Sequence, residues 1–180
     1  MKFIFQALTA VLIAGAASAL EEGIIPGLAF GGPHGTKYSD IDLVEPGQTV
    51  QVLTIRAGER VNGVGIKFTD TSGIQTPLYH GGRGGDEKTL TLGVGEYITG
   101  IEAHWGEKGD HTRIKYISFT TNHNHTFDGG NPTKNIGKEA APKGYQLGGF
   151  IGTCGKELDS VSAIWTSIDP VDSDDNDDTI

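Results

Sequence analysis

The chain has 180 residues, with 14 Lys and Arg against 23 Asp and Glu and a formal net charge of -9. That acidity argues against nucleic acid as a partner. The length suits one domain with a sizeable core rather than two, and the single cysteine, Cys154, leaves no internal disulfide.

Residues 1–19 read as a secretory signal peptide: Met1 and Lys2 make a basic start, Phe3 to Ala14 an apolar run, and Ala17-Ser18-Ala19 a small-x-small cleavage site. The expected product is a secreted, extracellular protein without a membrane span. A single domain is expected over residues 20–168. The remainder, 169–180, is an acidic block ("DPVDSDDNDDTI") with no apolar pattern, expected to be a disordered tail. As a calcium loop, its Asp172, Asp174 and Asp177 lack the glycine and terminal Glu of an EF-hand.

Between these ends the apolar runs are short and alternate. "TVQVLTIRA" (from Thr49) sets Val50, Val52 and Thr54 on one face and Gln51, Leu53 and Ile55 on the other. "VNGVGIKFTD" (from Val61), "TRIKYISFTT" (from Thr112) and "SVSAIWTSI" (from Ser160) alternate likewise. Period two in β-branched and aromatic residues predicts strands. The 28 glycines leave no room for a long helix. Glycine clusters recur at "FGGPHG", "HGGRGG", "FDGGNP" and "LGGFIG", and the expectation is an all-β sandwich, barrel or prism.

The opening question for chemistry is "LYHGGRGGDE" (Leu78 to Glu87). A P-loop needs Lys-Ser or Lys-Thr and then a helix, whereas Asp86-Glu87 and the strand pattern "KTLTLG" follow here. The cluster is a turn. His123 and His125 share a strand face and would need His111 or His104 to hold zinc, with no Cys or Glu at a recognisable spacing, so no metal is expected. Asn124-His125-Thr126 is an N-glycosylation acceptor sequence. Cys154 reads as a small buried hydrophobe.

"GTCGKELDSVSAIW" (from Gly152) is more informative. Gly155 and Asp159, four apart between two strands, bound a tight loop expected to expose the amides of Lys156 and Glu157 beside a solvated Asp159 carboxylate. Two donors and an ionised acceptor in fixed directions suit a sugar, with its adjacent hydroxyls.

Taken together, "FGGPHGTKYSDID", "HGGRGG", "GEYITGIEAHWG", "IKYISFTTN" and "GKELDSVSAIW" follow one another as in the jacalin-related lectins, which the chain resembles over about Ile25 to Ile168. The resemblance implies a β-prism of three four-stranded Greek-key sheets with pseudo-threefold symmetry, and carbohydrate binding without catalysis or cofactor. Carried onto this sequence, Gly35 is the first-loop glycine whose N–H meets the sugar, and Lys156 and Glu157 supply third-loop amides. Asp159 accepts sugar hydroxyls, and Asp110 and His111 lie on a loop beside the site, with His111 placed to stack on a sugar face. His34 replaces a glycine common in relatives, and Lys156 and Glu157 stand where galactose-preferring members carry aromatics. Mannose- or glucose-type glycans are therefore the expected partners. A secreted carbohydrate-active enzyme, a non-binding structural prism and a homo-oligomer stay open on the sequence alone.

Overall fold

A computed structural model describes residues 21–171, so the expected signal peptide and most of the expected acidic tail lie outside the described residues. Three short strands come first: β1 (Ile24–Pro26), β2 (Phe30–Gly31) and β3 (Thr36–Ser39). Two units of four strands follow, β4 (Thr49–Ala57), β5 (Val61–Thr69), β6 (Gln75–Gly81) and β7 (Asp86–Thr91), then β8 (Ile98–Lys108), β9 (His111–Thr121), β10 (Thr126–Gly130) and β11 (Asn135–Ala140). The last hairpin is β12 (Tyr145–Cys154) and β13 (Leu158–Ser167).

Each middle unit is a Greek key, with strand orders β6-β5-β4-β7 and β10-β9-β8-β11. The third sheet has the same plan divided between the chain ends: β12 and β13 form its hairpin, β1 and β2 together flank β13, and β3 flanks β12. This is the β-prism of three four-stranded sheets.

The pseudo-threefold relation is written in backbone irregularities. Each central hairpin carries an unpaired residue on its second strand near the hairpin turn: Asn62 on β5, Lys115 on β9 and Asp159 on β13. Each bulge carbonyl accepts an amide from the turn joining two outer strands: Gly82 donates to Asn62 (2.9 Å), Asn131 to Lys115 (2.8 Å) and Gly32 to Asp159 (3.0 Å). The residue before each donor is a glycine at positive φ, Gly81 (108°), Gly130 (88°) and Gly31 (104°). At all three, a Cβ would collide with the bulge carbonyl oxygen itself. Three of the four glycine clusters are thus equivalent turns, whereas "LGGFIG" lies inside β12, where Gly148 is an unpaired residue.

A bulge inserts one residue and reverses the alternation beyond it. Gln51 is such a residue on β4, so Val50 faces the core together with Leu53 and Ile55 rather than with Val52 and Thr54 as strict alternation predicts. One core cluster draws on all three sheets, including Leu53, Phe68, Ile117, Phe119, Phe150 and Trp165. Phe119 of β9 meets Phe150 of β12 edge to face at 5.9 Å. Fully buried Asp40 joins two sheets: one oxygen contacts His80 Nε2 of β6 (2.7 Å) and the other accepts the Phe150 amide of β12 (2.9 Å). Pro170 lies close to Gly47, and Val171 close to Gly23, so the described chain runs beyond the boundary at 168 expected from the sequence.

The collision at the bulge makes a measurable difference between glycines. Gly144 also has positive φ (84°) but open space where a Cβ would stand, so Gly144→Ala should cost only the left-handed backbone penalty of about 1–2 kcal/mol. Gly130→Ala adds a clash and should cost about 2–5 kcal/mol. Urea midpoints at unchanged slope check this ordering.

Candidate functional site

The bulge that sets Asp159 out of the ladder also turns its carboxylate toward the end of the prism. There Gly35, Lys108, His111, Arg113, Gly155, Lys156, Glu157 and Asp159 line one cavity of about 370 Å³. Six of the seven residues expected from the sequence are in that wall. Asp110 is not; it sits at the exposed turn between β8 and β9. Lys108 and Arg113, which the sequence reading did not single out, complete it.

Gly35 has φ of 86°, and a Cβ there would lie 2.5 Å from Asp159 Oδ2 and 2.9 Å from the Cys154 carbonyl oxygen. Only glycine leaves the first loop's backbone open at this point. In the third loop the Gly155 amide bonds the Glu157 carbonyl (3.0 Å). Among the described residues, no turn or loop hydrogen bond uses the amides of Gly35, Lys156 or Glu157.

The carboxylates differ from the expectation of an exposed loop. Asp159 is 2% exposed, and Oδ1 accepts a hydrogen bond from Arg113 Nη1. Oδ2 has no hydrogen-bond partner among the described residues and is the free acceptor. Burial pushes the Asp159 pKa above the ordinary aspartate value, against the opposing pull of Arg113, His34 and His111. Asp159 thus holds Arg113 by Nη1, while Glu157 lies 3.5 Å from Arg113 Nε.

Glu157 is held from three sides. Arg60 of the β4–β5 turn grips it with Nε (3.0 Å) and Nη2 (2.8 Å), Lys108 Nζ lies at 3.0 Å, and Arg113 Nε at 3.5 Å. The Arg60 hydrogen bonds, opposed by burial and aided by Lys108, draw its pKa down to about 2. Arg60, Arg113 and Glu157 each stand two residues before a bulge, so equivalent positions of the three sheets meet at the prism end.

His111 faces His34 at 4.4 Å with ring planes 27° apart, so His34 covers one ring face and only the other is left for a ligand. The other sequence candidates sit apart from this cavity. Asn124 lies in the exposed turn between β9 and β10 at φ of 61°. His125 contacts Glu96 (2.7 Å) and His104 contacts Glu102 (2.7 Å). Among the described residues no group of three His, Cys, Asp or Glu is placed to hold a metal ion. Cys154 is free and partly buried, and burial raises its thiol pKa. A larger hollow of about 500 Å³ on the sheet built from both chain ends holds Tyr38, whose hydroxyl is spent on the Ser160 carbonyl (3.1 Å), and no carboxylate lines it.

Residues 28–164 match the family described as the Jacalin-like lectin domain. The chain belongs to this family. It is 31% identical over 171 residues to secreted RxLR effector protein 19 of Plasmopara viticola, a match covering 92% of this chain and 94% of that protein. The wild-type Malaysian banana lectin structure superposes with a TM-score of 0.71 at 25% identity, covering 81% of this chain and 99% of the banana chain. A mannose binding jacalin related lectin from Ananas comosus superposes with a TM-score of 0.70 at 18% identity, covering 81% and 99%, a likeness of fold. The jacalin-like prism here places its glycine-lined cavity on the sheet that both chain ends build.

The Glu157 cluster gives this lectin domain a signature in acid. A carboxylate whose folded pKa is about 2, against about 4.3 unfolded, contributes stability that is present above the unfolded value and lost as pH falls toward 2. Glu157→Gln should lower stability at neutral pH by about 2 kcal/mol, after discounting for partial exposure. Its melting temperature should also fall less steeply than the parent's between about pH 4.5 and 2. Parallel curves would show that the cluster contributes no such dependence.

Proposed function

We propose that this jacalin-like domain is a secreted lectin that binds mannose- or glucose-type hexoses in the Gly35–Asp159 cavity, without catalysis and without a metal. One observation carries the reading: Gly35, Lys156, Glu157 and Asp159, whose three amides and one carboxylate oxygen have no hydrogen-bond partner among the described residues, line one cavity whose wall has no room for a side chain at Gly35. The Gly35, Lys156 and Glu157 amides donate to ring or hydroxyl oxygens, and Asp159 Oδ2 accepts a hydroxyl proton. The open face of His111 borders the sugar. The pineapple protein, named as mannose binding, has the same architecture, and the effector from Plasmopara viticola, named as secreted, supports export. A glycan at Asn124 is compatible with export and sits away from the cavity.

Two carboxylates in one cavity raise the alternative of glycoside hydrolysis. Glu157 argues against it, because Arg60 and Lys108 occupy both of its oxygens and hold it ionised. It has no proton to give at neutral pH, and three of its lone pairs are already engaged, with Arg113 Nε 3.5 Å away.

Gly35→Val fills the first-loop approach and should weaken binding of methyl mannoside at least tenfold by calorimetry. Asp159→Asn should weaken it by about ten- to a hundredfold. Binding should fall on acidification, beginning at a higher pH than an ordinary aspartate would give, since the ionised acceptor is the binding form. Chelation with EDTA should leave binding unchanged; a loss restored by calcium would overturn the metal-free reading.

A further inference from the structure

We infer that the preferred ligand of this cavity is a hexose carrying an anionic substituent, a carboxylate, phosphate or sulfate. The inference rests on the hexose-binding reading above and adds the charge of the ligand. The chain as a whole has 23 acidic and 14 basic residues, yet the cavity wall reverses that balance. Lys108, Arg113 and Lys156 face Glu157 and Asp159 there, with Arg60 directly behind.

The two carboxylates are already matched, Glu157 by Arg60 and Lys108 and Asp159 by Arg113. Lys156 is exposed at the rim and makes no ion pair among the described residues. The outer edge of the Arg113 guanidinium is turned to a ring nitrogen, with Nη2 3.3 Å from His111 Nδ1, so one corner of its fork has no anion. Lys115, the bulge residue of β9, registers the same field: burial first, and then nearby Arg60, Lys108 and Arg113, lower its pKa against the pull of Glu157.

A neutral hexose satisfies the three amides and Asp159 Oδ2 and leaves the Lys156 ammonium without an anion and the Nη2 corner of Arg113 with only a ring nitrogen. A negatively charged substituent offers these cations an anion, and a planar guanidinium and an exposed ammonium in one cavity wall suit a carboxylate or phosphate. A cavity of about 370 Å³ is within the ~300–1,000 Å³ range of small-molecule sites and accommodates a hexose with one added group. Because the Lys156 contact is exposed, its advantage is screened by salt.

Calorimetry on the secreted chain with methyl mannoside, mannose 1-phosphate, mannose 6-phosphate and inorganic phosphate, at low and at physiological salt, tests this. At least one sugar phosphate should bind about tenfold tighter than methyl mannoside at low salt, with the advantage shrinking as salt rises. Lys156→Ala, which keeps the loop backbone, should bring the ratio of phosphorylated to neutral affinity toward one, with a thermal melt confirming the fold. Equal affinity for neutral and phosphorylated mannose overturns the inference and leaves the hexose site standing. A ratio unchanged in Lys156→Ala overturns the assignment to this cavity, and inorganic phosphate competing as strongly as the sugar phosphates overturns the hexose part. If no sugar binds at all, the lectin reading fails with it.

Discussion

A carbonyl oxygen pressed against a glycine Cα, repeated three times, is the constraint on which this molecule depends. At Asn62, Lys115 and Asp159 the second strand of each central hairpin bulges and presents its carbonyl to the turn between two outer strands. The turn can come close enough only where Gly81, Gly130 and Gly31 lack a side chain and take positive φ. This contact ties each outer pair of strands to its hairpin at the same level, and so gives three unlike sequences the same four-stranded plan. It also determines what a bulge residue does with its side chain, since leaving the ladder aims that side chain at the end of the prism.

The three loop clusters at the prism end are alike in backbone and different in chemistry. On the β4–β7 sheet the bulge residue is Asn62, facing Gly85, and Arg56 is drawn across that loop to the carbonyls of Arg83 and Gly85. The β8–β11 sheet has Lys115 at the bulge and Lys134 where the other turns have Gly35 and Gly85. The sheet made from both chain ends alone combines the glycine with an acid. The other two sheets still take part, because Arg60 and Arg113, at the positions equivalent to Glu157, converge on its carboxylate. A charge-assisted clamp of this kind fixes the third loop before a ligand arrives, so less ordering has to be done on binding.

The strands were legible from sequence because period two survives in most of each hairpin, and Thr49–Ala57 was bounded correctly. The faces were less legible. Alternation cannot report a bulge, so Val50 was grouped with Val52 when the inserted Gln51 places it with Leu53 and Ile55. The same blindness made Asp159 look like a solvated loop residue, although the bulge buries it against Arg113. Gly35, Lys156 and Glu157 are marked by a family motif, whereas Lys108 and Arg113 carry no motif and reach the cavity only through the pairing of β8 with β9. A signal for Arg113 was nonetheless present: aligning the glycine turns places it level with Arg60 and Glu157, and three charged residues of mixed sign at one pseudo-symmetric level point to an ion cluster.

On the proposed reading, one of three similar loop clusters at the prism end holds the sugar. Titrating methyl mannoside into the isotopically labelled protein and following backbone amide shifts tests it directly, since the proposed donors are themselves amides. Saturable shifts are expected at Gly35, Lys156 and Glu157 that share one dissociation constant, with Asn62, Gly85, Lys115 and Lys134 unmoved. Shifts centred on Asn62 and Gly85, or no shift at the Gly35 end at saturating sugar, would contradict it.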